Sequence, residues 1–154
     1  MATTITAGNA TNGLAFSADN AGILELKTGT GAGTTAVSID ASQNLAFNSG
    51  YGSAAVAYGC RAWVNFKGTG TVAIRASGNV TSITDNGTGN YTVNFTTAMV
   101  DANYACVATG DGTTSSTHCW VFAGSYTSSN VNLQMTDSAG TRVDPTVLSS
   151  SVFR

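Results

Sequence analysis

From about residue 57 onward, apolar and polar positions alternate in short runs. Tyr91, Val93 and Phe95 share one parity, with Thr92 and Asn94 between them. Val131, Leu133 and Met135 do the same, with Asn132 and Gln134 between them. Successive side chains on a strand point to opposite faces, so a period of two predicts strands with one buried and one solvated face. Seven runs of this kind are read at 60–67, 71–76, 80–84, 90–96, 103–110, 118–124 and 130–136, with a final short strand within 146–153. Gly, Asn, Asp and Ser separate them, and no helix-length amphipathic pattern competes.

Two runs depart from simple alternation. In CRAWVNFK (60–67), Cys60, Ala62, Val64 and Phe66 are assigned to the core, which puts Trp63 on the face of Arg61, Asn65 and Lys67. In 118–123, Trp120 and Phe122 oppose Cys119, Val121 and Ala123, so both faces are apolar. A strand apolar on both faces is either central or covered by a partner. Aromatic residues are enriched at subunit interfaces. Trp63, Trp120 and Phe122 are therefore candidate interface residues.

The first fifty residues read differently. Phe16 and Phe47 are their only aromatic residues, and the aliphatic positions are thinly spread. Short extended pieces are read at 13–18, 22–28 and 35–41. Strands this short need a wider assembly to make a core. Residues 1–50 are accordingly read as an oligomerising stalk or docking segment, with Leu24 and Leu26 as candidate subunit contacts. NSGYGSAA (48–55) reads as a joint, and 57–154 as a separate C-terminal knob. The expected fold is all-β: an antiparallel, jelly-roll-like β-sandwich head with an extended N-terminal β-stalk.

Composition narrows the function classes. The chain has 154 residues, 9% of them charged, and a net charge of −2. Its six basic residues are scattered, so no cluster is present to neutralise phosphates and nucleic acid is not an expected partner. No stretch approaches the roughly 18 apolar residues of a membrane helix, so membrane insertion is not expected either. MATTITAGNATNG lacks the basic start and apolar run of a secretory signal, which points to folding in a cytoplasm. On the same ground, the five Asn-x-Ser/Thr triplets beginning at Asn9, Asn79, Asn86, Asn90 and Asn94 are read as chance products of composition. Cys60, Cys106 and Cys119 form no even framework and are read as buried thiols, a Cys106–Cys119 bridge being the alternative.

No catalytic constellation is legible in the sequence. His118 is the only histidine, and the adjacent Cys119 would point to the opposite face of a strand. Most of the eight carboxylates stand at turns, where Asp bonds its own backbone. No spacing matches a calcium loop, and no metal, cofactor or enzymatic activity is expected. DNGTGN (85–90) reads as a hairpin connection, with Asn86-Gly87 supplying positive φ. The polar loop 108–118 and the turn at 124–130 are the candidate receptor-contact elements, represented by Asp111, Thr113, Ser116, His118 and Tyr126. An aromatic face beside hydrogen-bonding groups suits a sugar ring or a protein surface.

Two stretches carry a resemblance. LELKTGTGAGTTAVSIDASQNLAF (24–47) resembles a segment recurrent in bacteriophage tail-fibre and related virion proteins. RAWVNFKGTGTVAIRASGNVTSITDNGTGNYTVNFTTAMVDANYACVATG (61–110) resembles a module of phage tail and fibre proteins. The resemblance implies a non-enzymatic virion component, homotrimeric, with a stalk-like N-terminus bound to tail or baseplate proteins. Its knob would meet host-surface polysaccharide or protein, and the protein would be assembled in the host cytoplasm into the virion. It leaves a trimeric capsid decoration protein as the alternative and a polysaccharide-degrading enzyme as a third reading.

Overall fold

The computed structural model describes residues 22–31, 33–48, 54–111 and 119–154. The strand read at 13–18 and most of the joint at 48–55 lie outside them. The described residues form strands and turns with no helix, so the chain is all-β. Twelve strands among them make three four-stranded sheets, and every pairing is antiparallel. The chain divides into two compact units between Ala57 and Tyr58.

The N-terminal unit holds β1 (Leu24–Thr28), β2 (Thr34–Ile39), β3 (Leu45–Phe47) and β4 (Ala55–Val56), in that order across sheet I. The pieces read at 22–28 and 35–41 are β1 and β2. β3 lies beyond the extended pieces read from the sequence, and β4 takes only Ala55 from the stretch read as a joint. The β2–β3 reversal is closed by Asp40, whose Oδ1 accepts the amides of Ser42 and Asn44, both at 2.9 Å. Gln43 adopts φ 65° there. The Asn44 side chain also donates to Oδ2, at 3.0 Å, and this bond foremost, with the two amides, holds the Asp40 carboxyl below its ordinary pKa.

The C-terminal unit holds β5 (Cys60–Lys67), β6 (Ala73–Gly78), β7 (Val80–Asp85), β8 (Asn90–Phe95), β9 (Ala105–Gly110), β10 (Cys119–Tyr126), β11 (Asn130–Asp137) and β12 (Leu148–Phe153). Sheet II runs β6-β5-β12-β9 and sheet III runs β10-β11-β8-β7. The chain passes from sheet II to sheet III at Asn79, which adopts φ 55°. Its side chain fixes that break: Oδ1 accepts the Thr97 amide at 2.7 Å, and Nδ2 donates to the carbonyls of Arg61 and Thr97.

Both sheets feed one core. Ala62, Val64, Phe66, Leu148 and Val152 come from sheet II; Tyr91, Val93, Phe95, Val131, Leu133 and Met135 come from sheet III. Phe66 and Tyr91 meet edge-to-face across it with ring centroids 5.2 Å apart. The faces expected from alternation in β8 and β11 hold. Cys60 is the exception: it is exposed. The β5–β12 register slips at Arg61, pairing Val152 with Ala62 but Phe153 with Cys60. That extra residue breaks the alternation that would have turned Cys60 inward. Cys106 is a half-buried free thiol, so no Cys106–Cys119 bridge forms, and burial pushes its pKa up to about 11.

The 85–90 connection is a hairpin, as expected, and Gly87 carries positive φ as read, but the second such residue is not Asn86. The positive values fall at Gly87 and Gly89, 106° and 62°. Asp85 starts the turn by accepting the Gly87 amide at 2.9 Å. Gly89 lies so close to the backbone of Met135 and Val143 that a Cβ there would strike both.

Candidate functional site

The residues singled out from sequence do not gather in one place. Leu24 and Leu26 lie in sheet I. Trp63 lies on the outer face of sheet II, since Ala62 and Val64 beside it point into the core. Its indole lies against Gly78, where any side chain would collide with it. Trp120 and Phe122 lie on the outer face of sheet III, with Val121 between them packed on the core. Trp63 and the Trp120–Phe122 pair therefore face away from one another. β10 is an edge strand, so a central position does not explain its two apolar faces.

Asp111, Thr113, Ser116, His118 and Tyr126 separate as well. Thr113, Ser116 and His118 lie outside the described residues. Asp111 follows β9 and acts as a fastener: its carboxylate accepts the Thr146 hydroxyl and the Val147 amide, both at 2.6 Å. Burial opposes its ionisation, but these bonds outweigh it and hold the carboxyl below its ordinary pKa. Tyr126 ends β10 and packs against Tyr104 with centroids 5.1 Å apart. The Tyr104 hydroxyl reaches the carbonyls of Thr127 and Asn130, and burial pushes its pKa up to about 12.

Three surfaces stand out. The first is one face of sheet I. The registers Leu24–Ile39–Leu45 and Leu26–Val37–Phe47 place all six side chains on that face. None is buried, and Leu26, Ile39, Leu45 and Phe47 are exposed. Contiguous exposed apolar patches beyond a few hundred Å² mark interaction sites. The opposite row, Glu25–Ser38–Ala46–Val56, is mixed.

The second surface is the outer face of sheet II. Trp63, Ser151 and Val107 stand in one row, beside Phe153, with Val107 59% exposed. A cleft of about 330 Å³ opens among Tyr58, Asn103, Ala105, Phe153 and Arg154. A second cleft, of about 370 Å³, lies where Cys60, Arg61, Asn79 and Met99 approach Arg154. The Arg154 guanidinium is already engaged by the Asp101 carboxylate, at 2.5 Å, and the Asn103 carbonyl.

The third is the outer face of sheet III, which carries a lattice of amides. Asn132 Nδ2 donates to Asn90 Oδ1 at 2.8 Å, and Asn132 Oδ1 accepts from Gln134 Nε2 at 3.1 Å. Arg142 holds Gln134 Oε1 at 2.9 Å. One strand further, Asn94 Nδ2 reaches the hydroxyls of Ser82 and Thr84. Trp120 and Phe122 border this lattice, 52% and 51% exposed. Sequence reading assigned the amides to a solvated face but missed that cross-strand register links them; only the strand order supplies it.

Among the described residues, no group of three or more His, Cys, Asp and Glu side chains is placed to hold a metal ion. No helix among them is long and apolar enough to cross a membrane. The chain matches no family model, no curated protein and no solved structure.

Proposed function

We propose that the chain is a structural component of a bacteriophage virion: a short trimeric tail fibre. Its N-terminal segment attaches to the tail or baseplate, and its C-terminal unit contacts polysaccharide or protein on the host surface. The observation that carries this reading is the apolar face of sheet I. Six apolar side chains share it, and not one is buried. A small sheet with no buried face is marginal alone. Copies of the chain that pool these faces supply the missing core, as a stalk requires. Three sites on one fibre also raise avidity through effective concentration.

The C-terminal unit fits the head of such a fibre. Its eight strands in two sheets have the strand count of a jelly-roll sandwich. The hairpins β5–β6, β7–β8 and β10–β11 each stay within one sheet. The reading is non-enzymatic, with neither cofactor nor metal. In support, Asp85, Asp101, Asp111, Asp137 and Asp144 each accept a backbone amide and so are engaged in holding turns and connections.

Gold-labelled antibody on intact virions tests the reading by electron microscopy. Label at the tail tip or baseplate is expected. Label spread over the capsid faces overturns it in favour of a capsid decoration protein, whose arm could use the same apolar sheet. Turnover of host polysaccharide by the purified chain overturns the non-enzymatic assignment.

A further inference from the structure

We infer that the outer face of sheet III, not the loops at its ends, binds a neutral saccharide chain. This rests on the reading of the C-terminal unit as the part that meets the host surface, and it names both the site and the ligand class.

The chemistry of the face selects the ligand. Trp120 and Phe122 stand two residues apart on the same side of β10, a separation of about 7 Å. That sets two aromatic surfaces side by side on the open face. Successive rings of a saccharide can therefore lie against the two aromatic faces, which favour the apolar C–H side of a sugar. Beside them, the amides of Asn90, Asn132 and Gln134 are held in fixed orientations by one another. Groups already ordered lose little freedom on binding. Asn90 Nδ2 takes part in none of these bonds and remains a donor among the described residues. Amides offer donor and acceptor together, which matches the hydroxyls of a sugar.

Charge points the same way. The lattice of Asn90, Thr92, Asn94, Asn132 and Gln134 carries no carboxylate. Its one cation, Arg142, gives one N–H to the neutral Gln134 Oε1 and keeps its charge. Such a face complements an uncharged ligand, and a single exposed cation gives an acidic chain little hold.

Gly124 keeps the face open. A Cβ there would meet Asn132 Oδ1 at 3.2 Å and Gln134 Nε2 at 3.8 Å. Gly124 has no positive φ among the described glycines, so backbone conformation does not demand glycine. Its missing side chain leaves the amide pair uncovered beside Phe122.

The test titrates the intact chain with neutral tetrasaccharides of glucose, mannose and galactose, and with tetramers of uronic acid. Binding is read by calorimetry and by tryptophan emission. Neutral tetramers are expected to bind and the uronates not. Trp120→Ala and Asn132→Ala should each weaken binding about tenfold. Gly124→Val should abolish it by covering the amide pair, while Trp63→Ala leaves it unchanged. Circular dichroism of each variant separates lost binding from lost folding, and Phe122→Leu serves as a milder second variant if Trp120→Ala unfolds. No binding of any neutral tetramer overturns the inference. So does binding that survives Trp120→Ala, or a Trp120→Ala chain whose only change is a lower solution mass, which would make this face a contact between copies. A tail-located chain that binds no saccharide fails here alone. A chain that binds saccharide but decorates the capsid fails only the fibre reading.

Discussion

The Tyr91 hydroxyl donates to Asp144 Oδ1 at 2.6 Å, joining β8 to the connection between β11 and β12. The same carboxylate oxygen accepts the Gly89 amide at 2.8 Å. One polar bridge thus ties the 85–90 hairpin to the segment that leads into the last strand. The Tyr91 ring is fully buried against Phe66, and burial, reinforced by Asp144, pushes its hydroxyl pKa far up. Tyr91→Phe keeps the ring contact but leaves Asp144 short of a donor. It should cost about 1–3 kcal/mol in urea unfolding. A loss under about 0.3 kcal/mol would show that the bridge is not made in solution.

Gly89 tests the same junction from the backbone side. Gly89→Ala faces both a left-handed φ and a collision with Met135 and Val143, whereas Gly140→Ala faces the φ strain alone, with open space around it. Thermal unfolding should show Gly140→Ala losing about 1 kcal/mol and Gly89→Ala clearly more, on the order of 3 kcal/mol. Equal losses would contradict the close approach.

Much of the C-terminal fold is legible because its strands are half-buried. Tyr91, Val93, Val131 and Leu133 advertise their face by simple alternation, and each lies in the core. Cys60 misleads because a one-residue slip at Arg61 leaves no mark in the hydrophobic pattern. Asn86 misleads because Asn-Gly is the commonest tight-turn signal, while this longer connection puts its left-handed residues at Gly87 and Gly89. The candidate surfaces were the least legible. A face depends on which strands become neighbours, so nothing local to Trp63 or Trp120 shows that they lie on different sheets. Nor does anything local to Asn132 show that Asn90 stands across from it.

The pH response follows from opposite shifts. Asp111 has its pKa lowered below the ordinary 3.8, so its fastening bonds stabilise fully above that value and are lost as pH falls through the folded pKa. Asp111→Asn should therefore lower the melting temperature at neutral pH and make no difference in strong acid. Tyr104 is raised from 10.0 to about 12, so its contribution is full below pH 10 and lost as pH rises toward 12. Absorbance titration should show Tyr104 resisting ionisation near pH 11. Its titration at the ordinary value in folded protein would contradict the buried hydroxyl.

Thiol labelling checks the slip in β5. Cys60 is exposed, while Cys106 is half-buried with its pKa pushed up to about 11. A maleimide at neutral pH should modify Cys60 within minutes and Cys106 only after unfolding, read by peptide mass. Early modification of Cys106 instead would mean that the core of the C-terminal unit does not cover it.

Association through the apolar face of sheet I is checked by light scattering of the full chain. One chain is 15.5 kDa. A species of three chains is expected, and Leu26→Asp combined with Phe47→Asp should release folded monomer whose C-terminal unit keeps its unfolding transition. A native chain that stays at 15.5 kDa across micromolar concentrations, with or without those substitutions, would contradict this association.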